Sequence, residues 1–80
     1  MNGPGDVRVL VVDDDAMVGE MIQAMLAHAG FRSIGRAASG RAAVEMAAQT
    51  HPDVVLMDIS LPDMDGIEAA QRIADSAPVP

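Results

Sequence analysis

Two short apolar runs, each broken off by acids, constrain this chain more than any other feature. Val9-Leu10-Val11-Val12 runs into Asp13-Asp14-Asp15, and Val54-Val55-Leu56-Met57 runs into Asp58. Four consecutive apolar residues without alternation suit a strand covered on both faces, as in a parallel sheet. Segments of helical period separate and follow these runs. The order strand-helix-strand-helix-strand-helix predicts an α/β fold, a doubly wound sheet of parallel strands. Right-handed crossovers carry all strand C-termini to one edge, where ligands bind in such folds. Both acidic ends therefore point to that edge.

The first strand is expected over residues 7–12. Residues 16–29 then show two adjacent rows, Met17, Met21, Met25 and Val18, Ile22, Leu26. Together they form a wide apolar stripe, expected to be core, with Glu20 and Gln23 facing away. Asp15 is placed to cap this helix and Gly30 to close it. Phe31 to Ala37 reads as a weaker strand, diluted by Arg32, Ser33, Gly35 and Arg36. Ser39 caps a second helix to about Gln49, with Ala43, Val44 and Ala47 inward. Asp53 to Asp58 is expected to be a second buried strand. Ile59 to Asp65 is a loop containing Pro62. A third helix starts at Gly66, with Ile67, Ala70, Ile73 and Ala74 inward.

Composition bounds the function. Twelve acids against five arginines give a net charge of −7, and there is no lysine. Such a chain offers no electrostatic footprint for nucleic acid or for an anionic membrane surface. The absence of cysteine excludes disulfides and thiolate metal sites. No apolar run approaches the roughly 18–20 residues of a membrane span. Residues 1–6 read as a flexible leader rather than a signal peptide, and a cytoplasmic protein is the expectation. Eighty residues allow one small domain, which buries only about 60–65% of its unfolded surface. Phe31 is the sole aromatic residue, so the core must come from aliphatic side chains and Met.

If the two strong strands are neighbours, their tips lie about 5 Å apart. Asp13, Asp14 and Asp58 then share one small volume, where like charges disfavour ionisation. A divalent cation resolves the conflict. Oxygen ligands without nearby His or Cys point to Mg²⁺, with Mn²⁺ as a surrogate. A carboxylate beside such an ion can attack phosphorus and form an aspartyl phosphate.

Val11-Val12-Asp13-Asp14-Asp15 resembles the opening of response-regulator receiver domains. Leu56-Met57-Asp58-Ile59-Ser60-Leu61-Pro62-Asp63-Met64-Asp65-Gly66 is similar to the family's phosphorylation-site signature. Ser39-Gly40-Arg41-Ala42-Ala43 resembles the family's entry to its second helix. The resemblance covers residues 7–80 and implies a flavodoxin-like sheet of strand order 2-1-3. It implies that Asp58 accepts a phosphoryl group and that Asp14 ligates the metal directly. Asp13 would hold the metal mostly through water, and the Ser60 carbonyl would complete the protein's share. The implied partner is a sensor histidine kinase or phosphotransfer protein, with acetyl phosphate as a small donor. The implied role is a phosphoacceptor that assists its own modification, not an enzyme in the usual sense.

The resemblance also implies two further strands and helices after residue 80, carrying a Ser or Thr and a Lys. Without them strand three has an open edge, which predicts self-association. Two other readings compete. One is a non-signalling remnant that works only as an interaction piece. The other is a haloacid-dehalogenase-like phosphatase, suggested by Asp13-Asp14-Asp15, in which Asp13 would be phosphorylated instead of Asp58. Asp63 and Asp65 read as loop and cap residues. His28 suits a helix C-terminus, His51 a turn before Pro52, and neither has metal-ligand company.

Overall fold

The computed structural model of the chain describes residues 6–58 and 66–76. Six elements follow in order: β1 (Arg8–Val12), α1 (Ala16–His28), β2 (Arg32–Ala37), α2 (Gly40–Thr50), β3 (Val54–Met57) and α3 (Gly66–Ser76). The three strands form one parallel sheet of order β2-β1-β3. Chain order and sheet order differ because β1 takes the centre, so the crossovers run outward in both directions. The parallel α/β sheet is the one the strand and helix pattern predicts, and its order is the flavodoxin-like one the resemblance implies. Residues 1–5, 59–65 and 77–80 lie outside the described part, and with them the leader, the Pro62 loop, Asp63 and Asp65.

Local chemistry sets the ends of the elements. Asp15 Oδ1 accepts from the Met17 and Val18 amides at 3.0 and 3.2 Å, satisfying two of the donors that the first turn of α1 leaves unpaired. At the other end, Gly30 adopts φ 94°. Its amide donates to Ala27 O, and that of Phe31 to Leu26 O, at 3.1 and 2.9 Å. This is the Schellman closure, which needs a left-handed residue where Gly30 stands. Ser39 Oγ caps α2 through the Ala42 amide at 3.1 Å. His51 ends α2 in a left-handed conformation at φ 48°. An L-residue adopts that conformation only at a cost.

The core lies on the face of the sheet opposite α1. Leu10 and Val12 point there and pack with Ala37, Ala43, Ala47 and Ile73, all buried. Alanines on α2 let its backbone approach the sheet and α3 closely. Each fully buried Leu or Val side chain contributes on the order of 1.5–3 kcal/mol, so Leu10 and Val12 account for much of a small reserve. Val9 and Val11 occupy the other face of β1 and are also buried.

Four expectations need correction. The methionine row of α1 is not core: Met17, Met21 and Met25 are 80, 56 and 64% exposed. The helix turns Gly19 and the Val18, Ile22, Leu26 row to the sheet instead. Gln23, expected outward, is partly buried and donates to Ser33 Oγ at 2.8 Å. In α3 the inward pair is Ala69 and Ile73, while Ile67 is 74% exposed and Ala70 and Ala74 are also exposed. That helix packs mainly against α2, and a single helical neighbour buries only a narrow i, i+4 strip. Finally, β3 is half covered. Val55 and Met57 reach the core, but Val54 and Leu56 are 36 and 41% exposed, because α1 lies over β1 and β2.

β2 carries the one irregularity of the ladder. Val9 pairs with Ser33 and Leu10 with Gly35, so Ile34 is an extra residue. Gly35 absorbs the bulge at φ 157°, and a Cβ there would meet Met46 Cε at 3.0 Å.

Candidate metal and phosphoacceptor site

The register of β1 against β3 builds the site. Val12 pairs with Met57, so Asp13 and Asp58 leave adjacent strands at the same level. Two backbone bonds extend the ladder by one step on each side. The Asp58 amide donates to Val12 O at 2.9 Å, and the Asp13 amide donates to Ala37 O at 3.0 Å. The acidic residues are therefore tied to the sheet before α1 begins. Asp13, Asp14 and Asp58 each present a carboxylate oxygen within 4.8 Å of the other two. Asp13 and Asp58 are half-buried and Asp14 is exposed. The cluster contains no His or Cys, so its donors are all oxygen.

Hydrogen bonds orient this rim. Asp13 Oδ1 accepts from the Asp15 amide at 2.9 Å, a turn that folds the chain from the strand into α1. Asp15 itself is consumed by capping and stays outside the cluster, as expected. A concave space of about 440 Å³ borders the site, lined by Val12, Asp13, Ile22, Leu56, Met57 and Asp58. Its walls are apolar apart from the two carboxylates. Ser60, expected to offer a carbonyl, lies outside the described residues. His28 sits in the last turn of α1 and His51 caps α2, both away from the cluster.

Two residues near the site were not singled out by the sequence reading. Arg36 Nη1 donates to the Asp13 carbonyl at 2.8 Å. Its side chain crosses α1 at Gly19, where a Cβ would collide with Arg36 Cδ and sit 3.2 Å from Cγ. A glycine inside a helix costs about 1 kcal/mol relative to alanine. That penalty, at the fourth residue of α1, was the available signal that something approaches there. At the opposite end of the sheet, Asp53 clamps β1: its Oδ2 accepts from the Arg8 amide at 2.8 Å and its amide donates to Arg8 O at 2.9 Å. Thus one acid of the 53–58 segment is structural, while the other faces the cluster.

A parallel sheet of order 2-1-3 with an acidic rim at its C-terminal edge defines the class as a flavodoxin-like α/β module. The chain belongs to the response regulator receiver domain family, which matches residues 9–80. It is 48% identical over 75 residues to a protein-glutamate methylesterase/protein-glutamine glutaminase of Alkalilimnicola ehrlichii, covering 92% of this chain and 19% of that one. It is 44% identical over 66 residues to the chemotaxis protein CheY of Thermotoga maritima, covering 82% of this chain and 55% of that one. The response regulator domain of Thermotoga maritima CheB superposes with a TM-score of 0.85 at 39% identity, covering 91% of this chain and 55% of that one. CheY in a CheX–CheY–BeF3–Mg complex from Borrelia burgdorferi superposes with a TM-score of 0.81 at 33% identity, covering 85% and 52%. The chain thus spans about a fifth of the methylesterase and about half of the CheY and CheB receiver chains. Among the described residues no helix is long and apolar enough to cross a membrane.

Proposed function

We propose that this chain is the phospho-accepting module of a two-component relay, modified on Asp58 in a Mg²⁺-dependent reaction. The observation that carries the reading is the convergence of three carboxylates from two strands within 4.8 Å. Three like charges this close, with oxygen donors alone, suit a hard divalent cation. The family resemblance gives Asp13 a contact with the ion mostly through water, and the Asp15 amide on its Oδ1 is compatible with that part. Asp14 and Asp58 are then the direct ligands, with the Ser60 carbonyl as the further protein donor and Mn²⁺ as a substitute ion.

Bound there, the cation neutralises charge on the transferring phosphoryl oxygens. Asp58 supplies the nucleophile. A carboxylate oxygen attacks phosphorus as the bond to the donor's leaving group breaks, giving an aspartyl phosphate and releasing histidine or acetate. The chain's contribution is mainly positional: the Val12 carbonyl fixes the backbone of Asp58, and apolar walls limit water on one side of it. The donor is a sensor histidine kinase or phosphotransfer protein, or acetyl phosphate. Relatives that carry the methylesterase name do so over a much longer chain, so ester hydrolysis is not assigned to this segment.

Incubation with acetyl phosphate and Mg²⁺, followed by intact mass, tests the reading. A gain of about 80 Da, lost in Asp58→Asn and without metal, is expected. Borohydride trapping on Asp13 instead would favour the hydrolase alternative. Metal uptake without any mass gain would favour the remnant.

A further inference from the structure

We infer that Arg36 is a positioning residue for the acidic site, and that Gly19 is the opening through which it reaches Asp13. The inference rests on the metal-site reading above. Arg36 pairs with Val11 in the sheet register, which turns its side chain toward the face that carries α1. From there the guanidinium must pass the helix to reach the β1–α1 junction. Gly19, buried, is the point of passage, since any Cβ would occupy the position of Arg36 Cδ. The partly buried guanidinium then donates to Asp13 O at 2.8 Å.

The Asp13 peptide is consequently held at three atoms. Its amide is bound to Ala37 O, its carbonyl to Arg36 Nη1 and its carboxylate to the Asp15 amide. The first two contacts come from consecutive residues of β2, so the neighbouring strand fixes the junction from one side. The Asp13–Asp14 peptide bond is the one whose carbonyl Arg36 grips. Its orientation sets where both carboxylates point. A hydrogen bond to a charged donor is shorter and stronger than one between neutral groups. The chain has only five basic residues, and one is committed here at the expense of a helix position.

The test is Mn²⁺ and Mg²⁺ affinity of the 80-residue chain, measured by calorimetry alongside a thermal melt without metal. Arg36→Met is expected to weaken metal binding about tenfold, the effect of losing one preorganising charged contact. Arg36→Lys, which keeps a donor of similar reach, is expected to recover part of that loss. Gly19→Ala is the sharper variant, because alanine is the better helix former. A glycine with no partner would give a more stable chain with unchanged affinity. The inference predicts weakened affinity in Gly19→Ala, and no additional weakening when it is combined with Arg36→Met. It also predicts that Gly19→Ala raises the melting temperature only in the background of Arg36→Ala, which removes Cγ and Cδ together with the guanidinium. Wild-type affinity retained in either single variant overturns the inference alone. No metal uptake by the wild-type chain overturns both it and the site reading.

Discussion

Replacing Asp58 by Asn should make the metal-free chain more stable while abolishing its modification. The three carboxylates lie within 4.8 Å of one another. At that separation a pair of unit charges repels by about 0.9 kcal/mol in water and about half as much at physiological salt. Asp58 faces two such partners, so removing its charge relieves on the order of 1 kcal/mol. Asn preserves the shape, and the amide bond to Val12 O involves only the backbone. For a domain of this size 1 kcal/mol is worth about 4–8 °C in melting temperature. Thermal melts in chelator should therefore place Asp58→Asn several degrees above the wild type. The gap should close as ionic strength rises toward about 1 M, where the screening length falls to about 3 Å. Added Mg²⁺ should reverse the order. At a hundred times its dissociation constant a ligand adds about 2.7 kcal/mol, and the substitution removes one of the acids proposed to bind it. A metal-free Asp58→Asn chain less stable than wild type, or an equal Mg²⁺ shift in both, would refute the electrostatic account of the cluster.

Asp15→Ala should cost about 1 kcal/mol by freeing the Met17 and Val18 amides, read as a lower denaturation midpoint with an unchanged slope. His51→Gly should stabilise by up to about 1 kcal/mol, because φ 48° suits glycine; a lower melting temperature would mean that the imidazole makes contacts worth more than the strain. β3 pairs with β1 alone among the described strands, and its outer edge should make the chain associate as concentration rises in sedimentation velocity. Val54→Lys should suppress this by placing a charge on the edge, with metal affinity unchanged.

The elements that proved legible share a local cause. β1 and β3 were visible because β-branched runs stop at acids, and those acids are also the site. The caps Asp15 and Ser39 were visible because capping chemistry depends on one side chain and the next turn. What could not be read was which part of a helix meets the sheet. In α1 the methionine row and the Val18, Ile22, Leu26 row are adjacent, and both satisfy the period. The structure turns to the sheet the row beside Gly19, which is buried against the Arg36 side chain. In α3 the inward face is set by α2: Ile73 joins Ala43 and Ala47 in the core cluster, and Ala69 is buried as well. Coverage of β3 likewise depended on where α1 sits, which is over β1 and β2. The Arg36 contact spans 23 positions, and no local pattern announces a side chain that crosses a helix to bond a main-chain oxygen.

The central place of β1 gives the rim two unequal halves. β1 is flanked on both sides, so its amides should exchange with solvent last, in the largest openings the chain undergoes. β3 is held by β1 alone among the described strands, and its outward residues are wet. Fluctuations short of unfolding should peel β3 away first, carrying Asp58 with it and leaving Asp13 and Asp14 on their anchored strand. The acids that follow β1 then form the durable part of the rim, and Asp58 is the part that breathes.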